Sequence, residues 1–349
     1  MVVILEAGVI TDGSITMVDD RTGFSLWVDF IEREFIGTKL KEMVSREIID
    51  GATSNPSIFA NAITKSPAYK EQLKRLEGKS AKEQYEALAV ADIKAAAQVL
   101  RVCYDSGYEG YVSIEVDPFL SKNTEGTIEE GARLFSMIGE PNVMIKVPAT
   151  DEGYAAMSEL MGRGISVNAT LIFSPEQALK SAKAMREGIK NFEQLGGGRV
   201  EGVISVFVSR FDRKLDAKLE ELGIEKAKTG ILNAAKIYNM IRELKEPAIK
   251  TLFASTGVKA DQGLTAEYYV TNLCAKHSIN TAPIETIEAY EKSADRGVLA
   301  LPFTDELINA HFEKLSQSGI NIEEVYAELM KEGLIAFEDA FAAMLKTLE

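Results

Sequence analysis

One lysine in this chain stands where a strand would normally place an apolar residue. Lys146 lies in Val-Met-Ile-Lys-Val-Pro, flanked by β-branched and apolar neighbours. Acidic residues recur in comparable settings: Glu115 near the end of Val-Ser-Ile-Glu-Val, and Asp29 near the end of Leu-Trp-Val-Asp-Phe. Asn55 closes Ala-Thr-Ser-Asn-Pro, Asn168 and Thr170 share a face of Ser-Val-Asn-Ala-Thr, and Ser205 interrupts Val-Ile-Ser-Val-Phe. A lysine amine in water, with a pKa of about 10.4, is a poor nucleophile at neutral pH. Desolvation favours the neutral amine, which can attack a carbonyl and form a Schiff base. The iminium then serves as an electron sink, so an adjacent carbon–carbon bond can break or form without a metal. Such chemistry needs carboxylates to hydrate and dehydrate the imine and to move the aldol hydroxyl proton, roles that suit Glu115 and Asp29. Asn55 and Asn168 could hold sugar hydroxyls as neutral donor–acceptors.

Each of these residues also has a plain structural reading. A strand lysine can snorkel from an edge, and Lys146 with Glu115 could form only an ion pair. Asp29 could cap or close a loop, and Asn55 before Pro56 has the form of a turn residue. The joint placement late in strand after strand favours a shared mouth.

The elements that would position them alternate strand with helix. Strands are expected at Phe24–Phe30, Gly51–Asn55, Tyr111–Val116, Val143–Pro148, Ile165–Phe173, Val203–Ser209, Thr251–Thr256 and Ile279–Ile284. Within these, Lys146 is the only lysine. Helical periodicity covers Lys82–Tyr104, Ser174–Leu195 and Asp212–Leu244, with Asn321–Lys331 and Leu334–Leu348 following the last strand. Ser174-Pro175-Glu176 supplies an N-cap, a proline at the first helical position and an acid in the first turn. Eight strand–helix units predict an α/β fold, a (β/α)8 TIM barrel with additional C-terminal helices. An open doubly wound sheet is the competing arrangement. Residues 1–20 are expected to be an extension outside the core, and residues 21–349 one barrel domain.

Composition narrows the partners. The 349 residues carry 39 Lys+Arg against 53 Asp+Glu, a net charge of −14. That field repels nucleic acid and anionic membranes, while leaving room for a small anion in a local basic pocket. Cys103 and Cys274 lack redox or zinc spacing, and with only His277 and His311 they make no usual zinc set. A reducing, cytoplasmic setting follows, with no signal peptide or membrane span expected. Signatures for zincins, dinucleotides, P-loops and serine hydrolases are missing, so no cofactor is expected.

Several segments together resemble the transaldolase family. Asp50–Ser57 (DGATSNPS) is similar to its Thr-(Ser/Thr)-Asn-Pro-Ser signature, and Ile145–Thr150 (IKVPAT) to its Schiff-base lysine segment. Val167–Ser174 (VNATLIFS), Ser205–Arg210 (SVFVSR) and Leu252–Lys259 (LFASTGVK) continue the likeness in order. The resemblance implies a metal-free class I enzyme of the pentose phosphate pathway. It would move a dihydroxyacetone unit from sedoheptulose 7-phosphate or fructose 6-phosphate to glyceraldehyde 3-phosphate or erythrose 4-phosphate. It implies Lys146 as the Schiff-base residue, Glu115 and Thr170 as holders of the catalytic water, and Asp29 as general acid/base. It further implies Asn55 and Asn168 at the donor hydroxyls, and Ser205 and Arg210 at the phosphate. Many family members carry a second phosphate-binding arginine after the seventh strand. Here Ser255-Thr256-Gly257-Val258-Lys259 stands instead, offering the Ser255 or Thr256 hydroxyl and the Lys259 point charge, or leaving Lys259 as a solvated loop residue. A related aldolase releasing free dihydroxyacetone and a non-catalytic sugar-phosphate-binding barrel are the alternatives. The chain is expected to be a monomer or homodimer with small sugar phosphates as its partners.

Overall fold

A computed structural model describes residues 3–5, 8–10 and 22–349. Eight parallel strands close into a barrel: β1 (Ser25–Val28), β2 (Gly51–Ala52), β3 (Val112–Glu115), β4 (Val143–Pro148), β5 (Ser166–Ile172), β6 (Gly202–Phe207), β7 (Ile249–Ala254) and β8 (Ile279–Ala282). Neighbours in sequence are neighbours in the barrel, and β8 pairs with β1 to close it. All eight expected strands are present, and closure excludes the open sheet. The expected extension 1–20 lies outside the described residues, apart from a short antiparallel pairing of Val3–Leu5 with Gly8–Ile10.

The strands are continuous runs of buried residues, as expected for parallel strands covered by helices outside and packed side chains within. Local sequence sets the helix starts. Ser174 accepts from the Gln177 backbone N–H while Gln177 accepts from the Ser174 N–H, and Pro175 occupies the first turn. Ser80 and Glu83 form the same box at the start of Ala81–Asp105. Asn55 explains why β2 is short: its side chain caps helix Pro56–Lys65, turning the chain away from the ladder.

Three expectations change. The helical stretch 212–244 divides into Ser209–Glu221 and Thr229–Glu243. Between them Gly223 and Ala227 take left-handed backbone, and Asp216 accepts from the Ala227 N–H. Conversely, the two C-terminal helices are one, Ile322–Leu348. Gly333 does not break it but permits close approach: a Cβ there would lie 2.9 Å from Leu171 Cδ2 and 3.3 Å from Arg210 Nη1. Finally, β7 begins two residues earlier than expected, so Lys250 also lies within a strand. Its ammonium is committed to Glu109 (2.6 Å) and Glu201 (3.4 Å) at the N-terminal end of the barrel.

Gly188 shows how tightly the outer helices meet. A Cβ there would be 2.5 Å from the Ser158 carbonyl oxygen and 2.6 Å from Met161 Cβ in helix Asp151–Gly162. Alanine would gain up to about 1 kcal/mol of helix propensity, but overpacking typically costs about 1–3 kcal/mol. Gly188→Ala should therefore lower the urea midpoint of unfolding. Gly198→Ala, where nothing lies within 4 Å, should stay within about 0.5 kcal/mol of wild type. Equal midpoints for Gly188→Ala and wild type would disprove the packing argument.

Candidate active site

Lys146 sits on the fourth residue of β4 and is 5% exposed. Parallel register aligns Glu115 of β3, Lys146 and Asn168 of β5 in one row across three strands. Lys146 Nζ is 3.5 Å from Glu115 Oε2 and donates to the Ser54 carbonyl at 3.2 Å. Its ammonium also lies 5.6 Å from the centre of the Phe337 ring, contributed by the long C-terminal helix. The ion pair weighed as a plain reading thus exists, inside the barrel rather than at an edge.

Above this row opens a cavity of about 190 Å³, lined by Asp29, Asn55, Lys146, Ser205, Arg210 and Ser255 among others. Asp29 follows β1 and accepts from Thr53 Oγ1 at 2.6 Å, while Thr53 also contacts Thr281 Oγ1 of β8. Asn55 serves two functions: its Oδ1 accepts from the Ile58 N–H, and the residue faces the cavity. Arg210 lies in the first turn of helix Ser209–Glu221, its guanidinium 5.1 Å from the Phe207 ring centre. Ser255 takes a left-handed backbone (φ 56°), and its hydroxyl meets that of Ser209 at 3.0 Å.

Glu115, Asn168 and Thr170 do not line this cavity. Asn168 is fully buried, donating to Ser113 Oγ at 3.0 Å and accepting from Ser205 Oγ at 2.7 Å. Those bonds fix its orientation beside Lys146. Thr170, also fully buried, pairs in register with Pro148. Among the described residues, neither Thr170 Oγ1 nor the two Glu115 carboxylate oxygens have a hydrogen-bond partner. Such groups are costly to bury unsatisfied, so they mark a place for an exogenous donor. Lys259 follows the second of its two readings, a solvated loop residue. It is exposed on the loop after β7, its backbone N–H donates to Gln262 Oε1, and it does not line the cavity. Arg210 is the arginine at the cavity wall, and Ser255 supplies the hydroxyl from this loop. Thr256 instead donates to the Thr281 carbonyl.

Thr53, Ser57, Phe207, Thr281 and Phe337 line the cavity without having been singled out. Thr53 was findable, being two residues before Asn55 in the same short segment. Phe337 carried no local signal.

Burial dominates the electrostatics. It pushes the Glu115 carboxyl up to about 7, with Lys146 opposing the shift and the Asp29 charge adding to it. Asp29 is likewise raised by burial, offset by the Lys146 charge and the Thr53 hydrogen bond. Burial and the nearby Arg213 charge both lower Arg210, while Glu332 opposes them. Two carboxyls that burial holds in the protonated form to higher pH than usual, beside a buried amine, suit reversible carbonyl addition.

A family model described as Transaldolase/Fructose-6-phosphate aldolase matches residues 26–348. The chain is 44% identical over 332 residues to a transaldolase of Campylobacter jejuni subsp. doylei, covering 93% of this chain and 99% of that protein. It is 42% identical over 325 residues to a transaldolase of Helicobacter pylori strain Shi470, with the same coverage.

The Glu115 carboxyl stays protonated to higher pH in the folded than in the unfolded chain. Its contribution is fully present below its ordinary value of 4.5 and is lost as pH rises to about 7. Asp50 and Asp212, also raised to about 7, act in wild type and variant alike. Urea unfolding across this interval should therefore show the stability of Glu115→Gln improving relative to wild type as pH rises. Parallel profiles would contradict the burial argument.

Proposed function

The chain belongs to the transaldolase/fructose-6-phosphate aldolase family and is a transaldolase, and from that premise we propose that Lys146 carries the reaction as a Schiff-base nucleophile. The observation supporting this most directly is its buried amine, placed between Glu115 and the cavity that Asp29 lines. The neutral amine adds to the ketose carbonyl, and the resulting carbinolamine loses water to give the iminium. Glu115 and Thr170, whose side-chain oxygens point to an exogenous donor, hold a water through which Glu115 delivers the proton with which the carbinolamine hydroxyl leaves. Asp29 takes the proton of the hydroxyl beside the bond to be cleaved. The carbon–carbon bond then breaks, its electrons enter the iminium, and an aldose phosphate departs. The enamine left on Lys146 attacks the acceptor aldehyde, Asp29 returns the proton, and hydrolysis frees the amine.

Asn55 and Asn168 are proposed at the donor hydroxyls, with Ser205, Arg210 and Ser255 at the phosphate. Arg210 offers a guanidinium fork where an anion would sit. The substrates proposed are sedoheptulose 7-phosphate or fructose 6-phosphate as donor, and glyceraldehyde 3-phosphate or erythrose 4-phosphate as acceptor. Residues 21–349 are proposed to act as one catalytic domain, monomeric or homodimeric, in the cytoplasm and within the pentose phosphate pathway. Among the described residues no helix is long and apolar enough to cross a membrane.

Borohydride reduction in the presence of fructose 6-phosphate should trap a three-carbon unit on the peptide containing Lys146, and Lys146→Ala should lose essentially all turnover. Labelling at another lysine would overturn the assignment. With erythrose 4-phosphate present, transfer should exceed release of free dihydroxyacetone; the reverse ratio would favour aldolase chemistry.

A further inference from the structure

We propose that the N-terminal end of the barrel carries a second binding site, for a small organic polyanion, in a cavity of about 580 Å³. The cavity lies between the end of helix Thr229–Glu243, the start of β7 and the loop before β8. In a chain of net charge −14, this lining is cationic: Arg242, Lys245, Lys250 and Lys276 against a single acid, Glu246.

The charges are not cancelled in place. Lys250 is satisfied by Glu109 and Glu201 and serves as wall rather than ligand group. Glu246 is drawn toward Arg186, 3.8 Å away on the neighbouring groove. Among the described residues, Arg242, Lys245 and Lys276 form no ion pair, and all three are exposed at the rim. Three exposed cations on one rim repel one another, an arrangement that an anion relieves.

The cavity floor is apolar and built firmly. Tyr238, Ile241 and Ile249 are buried there. The Tyr238 hydroxyl donates to the Lys276 carbonyl at 2.8 Å, tying helix to loop, and the Arg242 guanidinium lies 5.6 Å from the Tyr238 ring centre. Lys245 and His277, at opposite sides of the cavity, both hold left-handed backbone at φ 52°. Non-glycine residues adopt that conformation at a cost, and it concentrates where structure holds a site in shape. An apolar floor under a cationic rim selects two or more phosphate or carboxylate groups carried on an apolar or aromatic body. The volume lies within the range for small-molecule sites.

This site is separate from the catalytic cavity. Ile249 opens β7 at one end and Ala254 lines the catalytic cavity at the other, a span of roughly 16 Å at about 3.3 Å per residue.

Calorimetric titration with ATP, and separately with inorganic pyrophosphate, tests the proposal. ATP should bind saturably at low ionic strength, more tightly than pyrophosphate, and without loss when fructose 6-phosphate is saturating. The double variant Lys245→Ala/Lys276→Ala should weaken ATP binding about tenfold or more, equivalent to about 1.4 kcal/mol. Lys183→Ala/Lys190→Ala, in the adjacent groove, should leave it unchanged. Absence of saturable binding at millimolar ATP, displacement by fructose 6-phosphate, or equal weakening in both double variants would overturn the proposal.

Discussion

A cation held inside a barrel is the constraint on which the site depends. An ammonium in a water-poor interior requires partners, and removing any of them leaves an uncompensated charge. Lys146 has the Glu115 carboxylate in its strand row and the Ser54 carbonyl from the segment after β2. The same burial that makes this pairing necessary raises the carboxyls of Glu115 and Asp29.

That arrangement is affordable because the opposite end of the barrel is closed by a separate polar network. Ser25 donates to Asp50 and accepts from the Trp27 indole, while Lys250 bridges Glu109 and Glu201. Arg199 joins from outside, pairing with Glu201 at 2.6 Å and stacking on Tyr104. These contacts tie strand beginnings together and leave strand ends available for chemistry, the division of labour expected of this architecture.

Net charge and local charge also separate. The chain carries a net charge of −14, yet Arg210 at one end and the Arg242, Lys245 and Lys276 rim at the other create two small positive regions. At the catalytic end, the C-terminal helix brings Gly333 against Arg210 and Phe337 over Lys146. It thus shapes the cavity from outside the eight-stranded repeat.

Strand identity, the helix starts at Ser174 and Asn321 and the anomalous Lys146, Glu115 and Asp29 were determined by sequence alone, because periodicity and capping depend on residues a few positions apart. Local pattern misplaced the breaks at Gly223 and Gly333: one glycine ends a helix, while the other admits a neighbour, and only the neighbour distinguishes them. It also could not place Lys259 outside the cavity or Phe337 within it. Those outcomes, like the row that aligns Glu115, Lys146 and Asn168, belong to tertiary structure. Strand register and barrel closure bring distant segments together through packing, which no local window of residues encodes.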